Sequence, residues 1–351
     1  MYINPHFAAT ERVFPEQGRY AYSRYDMNEN PEGLPEDFVE SVKNKITPEF
    51  LATYPEPGRF AEKYARFVGV EPANIMTTNG SDMAIRYLLE TFGEPGSDVV
   101  TVAPSFEMYR INCSLLGLNH VPVSYNDDLS FDTQKIVEAI HSGVSVVSVL
   151  NPNNPIGNVF SADEVETIIR KANSVGALVI LDEAYHYFHD VTFLPFIKKY
   201  DNVVVLRTFS KCFSIAGCRL GVIIGPESIM RMAVRGRLTF DVNSIALLFG
   251  EALLDAPHIL ERLIAMEKEG KAYLISELEE KGYSYMGGAG NYIFIQPKTS
   301  PKELEQRLKD EHKMLVKTFG HPLLSKYVRV STGSVTSMDF FLKAFFAADI
   351  F

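Results

Sequence analysis

The period of the apolar positions changes along the chain. From about residue 97, short runs rich in β-branched residues recur at DVVTVAP (98–104), NHVPVSY (119–125), VSVVSVLN (144–151), ALVILDEA (177–184), NVVVLRTF (202–209) and RLGVIIG (219–225). Between several of them lie segments with helical spacing, such as TQKIVEAIHSG (133–143) and SADEVETIIRKANSVG (161–176). The second opens on Ser161 with Glu164 three residues later, the pattern of a capping box. Near-continuous apolar strands alternating with helices predict a mainly parallel sheet covered on both faces.

After about residue 230 the pattern changes. A long helical stretch, DAPHILERLIAMEKEGKAYLISELEEKG (255–282), leads into the strand-like GNYIFIQP (290–297). The helical PKELEQRLKDE (301–311) follows, then the strand-like KMLVKTF (313–319) and YVRVSTG (327–333) and a phenylalanine-rich final helix. The expected class is α/β, with a large parallel-sheet domain over 46–235 and a smaller α+β C-terminal domain over 236–351. Residues 1–45, rich in Pro, Glu and Asn, are expected to form an arm with little core of its own. The final helix's Phe340, Phe341, Phe345 and Phe346 are expected in the core of the smaller domain.

Composition excludes some classes of partner. The chain has 351 residues, 46% of them hydrophobic, enough to bury a substantial core. A formal net charge of -10 argues against nonspecific binding to nucleic acid or anionic membranes. No run of apolar residues reaches the length of a membrane span, and no basic-then-apolar leader opens the chain. Cys113, Cys212 and Cys218 show no metal-ligand spacing and read as thiols of a reducing compartment, so the expected location is cytoplasmic. His186 and His189 lack a third ligand cluster nearby, and no metal site is expected.

In open parallel sheets ligands bind beyond the carboxyl ends of the strands. Three consecutive strand ends carry reactive groups here: NPNNPIG (151–157), DEAYHYF (182–188) and RTFSK (207–211). Asp182 ends an apolar run, where a carboxylate needs a partner, and a cationic ring nitrogen would supply one. Tyr185 and Asn154 would then face a phenolic oxygen of the same ring. Lys211 becomes a nucleophile once burial and a neighbouring cation lower its pKa, and Arg219 is such a cation. Arg219, Thr208 and Ser210 also suit a phosphate. Gly80 and Ser81 open an apolar-periodic helix whose first N–H groups would point at an anion. Tyr109, after the strand VVTVAP, suits either a stack on a planar ring or a place as a core or rim aromatic.

Taken together, these segments resemble the fold-type I, pyridoxal 5′-phosphate-dependent aminotransferases of class I/II, in particular the histidinol-phosphate aminotransferase-like branch. The resemblance is carried in order by YDMNENPEG (25–33), YPEPG (54–58), NGSDMAI (79–85), PSFEMY (104–109), NPNNPIG, DEAYHYF, RTFSKCFSIAGCRLG (207–221) and YVRVSTG. It implies that Lys211 bonds the cofactor and shuttles the Cα proton, that Asp182 pairs with the pyridine nitrogen, and that Tyr185 and Asn154 meet the ring oxygen. It implies that Tyr109 stacks on the ring and that Gly80, Ser81, Asp82, Thr208, Ser210 and Arg219 form a phosphate cup. It implies a homodimer in which Tyr54 reaches the other subunit's cofactor. Arg329 is expected to hold the substrate's carboxylate or equivalent anion, with Asn30, Asn154 and Lys317 beside it.

The chain departs from the branch at two places. Lys317 stands where a second arginine is usual and keeps the charge without the two-pronged fork. LTFDVNSIA (238–246) replaces the family's Pro-Tyr/Phe-Asn-Val segment. The expected activity is exchange of an amino group between an amino acid or histidinol-phosphate-like amine and a 2-oxo acid. The threonine-phosphate decarboxylase-like relatives, which share these motifs, give the alternative. A cofactor-binding regulatory module is disfavoured by the acidic charge. A dinucleotide oxidoreductase is disfavoured because no G-x-G-x-x-G follows the first strand.

Overall fold

A computed structural model describes residues 1–15 and 17–350. Its main sheet has seven strands: β1 (Ile75–Asn79), β2 (Asp98–Ala103), β3 (Asn119–Ser124), β4 (Val144–Leu150), β5 (Leu178–Asp182), β6 (Val203–Thr208) and β7 (Leu220–Ile224). In space they run β1-β7-β6-β5-β4-β2-β3. The pairs β2/β3, β2/β4, β4/β5 and β5/β6 are parallel, as the apolar runs predict. Strand β7 is antiparallel to both its neighbours, β6 and β1. That reversal follows from the short connection between β6 and β7, which has no room for a crossover helix. Strand β1, IMTTN, escapes the sequence reading because it is short and half polar.

Every residue of β5, β6 and β7 is buried, so the sheet centre is sandwiched between two apolar layers. One layer gathers Phe60, Tyr64, Val147, Val179, Val205 and Val222. The other gathers Ile85, Leu88, Val146, Ile180, Leu206 and Ile223. Neighbours in one strand fall on opposite faces, the period of two of a pleated strand. The capping box is present: Ser161 Oγ accepts the Glu164 N–H at 3.3 Å, while Glu164 accepts the Ser161 N–H at 2.8 Å.

The C-terminal part builds a separate four-stranded antiparallel sheet from Tyr285–Gly287, Tyr292–Ile295, Lys317–Thr318 and Val328–Ser331. Its strand 292–295 serves two cores. Tyr292 and Phe294 join the first layer of the main sheet, whereas Ile293 and Ile295 join a third cluster with Leu274, Leu304, Phe341 and Phe345. Of the four phenylalanines of the last helix, Phe340 is an exception and stands exposed. Helix Ser244–Leu254 buries Ala246, Leu247 and Leu253 in the core that holds Phe60. The N-terminal arm is mostly exposed, but Tyr25 enters the third cluster and Asn28 is buried.

The spatial order of the strands changes direction between β4 and β2. The loops from the carboxyl ends of these two strands are tied together, Ser105 donating to Asn153 Oδ1 at 2.8 Å and Asn153 to the Pro104 carbonyl at 3.0 Å, and a crevice opens beyond the strand ends beside them.

Candidate active site

At that crevice lies a cavity of about 600 Å3, walled by the ends of β4, β5 and β6, the start of helix Gly80–Phe92, the N-terminal arm and the C-terminal sheet. The structure brings most of the expected residues to it: Ser81, Asp82, Asn154, Asp182, Tyr185, Thr208, Ser210, Lys211, Arg219, Lys317 and Arg329.

Lys211 Nζ donates to the Met27 carbonyl at 2.8 Å. Burial and the nearby Arg329 lower its pKa to about 8, while Glu29 and Asp82 oppose the shift. A fraction of the amine is thus neutral near pH 7, the state a nucleophile needs. Asp182 is 2% exposed. Burial raises its pKa to about 7, against hydrogen bonds from the Tyr109 hydroxyl at 3.0 Å and the Ala184 N–H at 3.2 Å. No cationic side chain bonds to it among the described residues, so a charge-matched partner would have to come from the cavity.

Another part of the same cavity wall is shaped for a compact anion. Arg219, at φ 61°, donates to Asp82 Oδ2 at 3.1 Å and to Ser210 Oγ at 3.3 Å. Thr208 Oγ1 accepts the Ser210 N–H at 3.1 Å. Gly80 does not wall the cavity itself, but its φ is 72°, and a Cβ there would stand 2.3 Å from Arg219 Nη2. Gly221 of β7 plays a similar part: a Cβ on it would meet the Ser81 nitrogen at 2.7 Å. Together the two glycines let the helix start press against the arginine, so that free N–H groups and a guanidinium converge.

Tyr185 accepts from Asn28 Nδ2 at 2.9 Å, and burial raises its pKa to about 12. Arg329 is 6% exposed and has only neutral acceptors, Asn154 Oδ1 and the Asp26 carbonyl, each at 2.7 Å. Its Nε is buried without a partner among the described residues. Burial pushes its pKa below the usual value, although the Tyr185 and Tyr292 phenols beside it oppose that shift. A buried guanidinium lacking a carboxylate is costly, and an anionic ligand would offset that cost.

Three expected residues lie elsewhere. Tyr109 does not wall the cavity: it sits in the first turn of helix Met108–Leu116, its ring turned into the second apolar layer. The aromatic that this PSFEMY segment sends to the cavity wall is Phe106, three residues earlier. Position relative to the strand end, rather than the presence of a hydroxyl, was the signal that could have found it. Asn30 donates to Ser214 Oγ at 2.8 Å and to the Gly33 carbonyl at 2.9 Å, and lines smaller neighbouring cavities instead. Tyr54 stands 71% exposed, away from the cavity, stacked on Phe240 with ring centroids 4.1 Å apart. Asn28, missed by the sequence reading, belongs to the site through Tyr185.

A strand-end lysine, a buried carboxylate and an anion cup on this sheet define a fold-type I pyridoxal phosphate enzyme. Residues 25–345 match the family described as aminotransferase class I and II, and the chain belongs to that family, in its histidinol-phosphate aminotransferase-like branch. It is 31% identical to histidinol-phosphate aminotransferase 1 of Carboxydothermus hydrogenoformans, across 95% of this chain and 94% of that one. It is 30% identical to the histidinol-phosphate aminotransferase of Thermotoga maritima, across 97% and 98% of the two chains. In fold it is similar to the Sinorhizobium meliloti histidinol-phosphate aminotransferase solved with pyridoxal-5′-phosphate, with a TM-score of 0.86, 22% identity and coverage of 99% and 97%. The chain is accordingly a pyridoxal phosphate-dependent aminotransferase acting on small amino and oxo substrates. No helix among the described residues is long and apolar enough to cross a membrane.

Proposed function

We propose that the cavity holds pyridoxal 5′-phosphate and that the enzyme moves an amino group between an anionic amine, either an amino acid or a histidinol-phosphate-like compound, and a 2-oxo acid. The observation that carries this reading is Arg329: a buried guanidinium with only neutral partners, facing the same cavity as Lys211. The bound cofactor supplies an aldehyde carbon and an electron-withdrawing ring. Lys211 would hold that carbon through its amine, water leaving as the bond forms, and once freed by the substrate would move the Cα proton. Asp182 takes the ring nitrogen. Tyr185 and the Asn154 amide take the ring oxygen, with Phe106 in the stacking place first expected of Tyr109. The Gly80–Ser81–Asp82 helix start, Thr208, Ser210 and Arg219 take the phosphate.

Arg329 grips the substrate's carboxylate or equivalent anion. Lys317 lies opposite it in the strand register and offers a second positive charge at the cavity mouth. Asn30 acts from behind through Ser214, on the loop that carries Lys211. We further propose a cytoplasmic homodimer in which Tyr54 serves the partner's phosphate, and a division into arm (1–45), large (46–235) and small (236–351) domains. The exposed Tyr54–Phe240 pair supports the interface. Free Cys113, Cys212 and Cys218 suit a reducing compartment. The separate C-terminal sheet and third core cluster support the small domain.

An absorption titration tests the core of this proposal. Protein freed of cofactor, incubated with pyridoxal phosphate and cleared of the unbound excess, should gain a visible or near-ultraviolet band that borohydride fixes to the chain, and Lys211→Ala should show no fixed band. The rate of covalent capture should rise with pH and level off above about 8, because the folded-state amine loses its proton there. Protein that gains no band overturns the reading. A donor screen with histidinol phosphate, aromatic amino acids, glutamate and phosphothreonine, scored for 2-oxo product against CO2, then separates transamination from decarboxylation.

A further inference from the structure

Tyr109 is left without a task once Phe106 takes the cavity wall. Its ring is 2% exposed, in the apolar layer with Val146, Ile180 and Leu206. A phenol in such a place needs a polar partner, and the hydroxyl has one in a carboxylate. It donates to Asp182 Oδ2 at 3.0 Å. Ser148, on the adjacent β4, also bears on the phenol, and its hydroxyl opposes the upward push of burial on it. Asp182 Oδ1 receives the Ala184 N–H at 3.2 Å. Each carboxylate oxygen therefore has one protein donor, which fixes the plane of the group at the end of β5.

We infer that Tyr109 is a positioning residue that acts through Asp182, holding its carboxylate in one plane and in its ionised form for a cationic ring nitrogen. This rests on the reading of the cavity as a pyridoxal phosphate site. The phenol suits the task because it stays protonated. Burial and the charge on Asp182 push its own pKa well above 10, so it donates at every working pH. A donor to a carboxylate favours the charged form, whereas burial and the neighbouring charges of Asp82 and Glu183 favour the neutral one. Tyr185, the other titratable group felt there, stays neutral below about 12. With the phenol removed, the balance moves toward the protonated acid. A neutral carboxylic acid pairs with an unprotonated ring nitrogen, and the ring then withdraws electrons less well.

The test is Tyr109→Phe, which keeps the ring and deletes only the donor, with Ser148→Ala as a second variant. Pyridoxal phosphate affinity, the pH dependence of the bound cofactor's spectrum, and kcat and KM for one amino donor are measured for each. For Tyr109→Phe the dissociation constant should rise about ten-fold, as for loss of a hydrogen bond to a charged group. Its spectral pH profile should shift, and kcat should fall with KM nearly unchanged. Ser148→Ala should shift the spectrum in the same direction by less, because the phenol becomes a weaker donor. Wild-type affinity and a wild-type spectral profile in both variants would overturn the inference alone, as would a change confined to melting temperature. Wild-type protein that takes up no pyridoxal phosphate would overturn it together with the site on which it rests.

Discussion

Lys211 and Arg329 are both cations drawn into the same cavity, yet burial acts on them to different ends. Lysine titrates within reach of neutral pH, so burial and Arg329 turn it into a usable base. Arginine keeps its charge at any working pH, so burial leaves it as a cation short of an anion. Replacing Arg329 by Lys should therefore raise KM for a carboxylate-bearing donor roughly 30-fold or more, the cost of losing a two-pronged charged contact of about 2 kcal/mol. Pyridoxal phosphate affinity should change far less, since Arg329 lies away from the phosphate cup. Steady-state kinetics beside a cofactor titration check both statements, and equal losses in the two would contradict them.

The phosphate cup belongs to elements rather than to side chains. Helix Gly80–Phe92 starts directly off β1, against β7, and its approach is set by two absent Cβ atoms, at Gly80 and Gly221. Gly80→Ala introduces a Cβ 2.3 Å from Arg219 Nη2 at a φ of 72°, which L side chains rarely adopt. The expected result is at least a ten-fold loss of pyridoxal phosphate affinity and destabilisation of about 1–2 kcal/mol. Binding and thermal melting, measured side by side, check this. An unchanged affinity would mean that the helix start is not part of the cup. Sequence reading found that helix start because Asn-Gly-Ser-Asp precedes an apolar period. It missed β1, whose polar threonines hide its place in the sheet.

At the scale of the whole molecule, Tyr54 finds no task within one chain. It stands exposed and stacked on Phe240, while Asp241 beside it accepts the Asn79 N–H at 2.9 Å and so ties segment 238–246 to the end of β1. In the proposed dimer, mixing two defective proteins should restore function. Lys211→Ala lacks the amine and Tyr54→Phe lacks the phenol, but a heterodimer contains one site with both. Mixed and refolded together, they should recover up to about a quarter of wild-type activity, the share of sites expected from random pairing. Failure to exceed the sum of the separate proteins, with dimers present in sedimentation, would place Tyr54 outside the partner's site.

The order of strands and helices, the chemistry at three strand ends and the capping box at Ser161 are local properties. Each depends on the period of apolar residues or on groups a few positions apart, and the sequence determined them. The reversal of β7, the division of strand 292–295 between two cores, and the placing of Phe106 rather than Tyr109 at the cavity wall depend on which faces meet across the fold. Hydrophobic burial rewards any apolar side chain that reaches a core and does not specify which core. Asp182 shows the boundary most clearly. Its position at a strand end marked it as functional, and the Ala184 N–H two residues on reaches one oxygen locally, but only packing brought the Tyr109 hydroxyl to the other and buried the group.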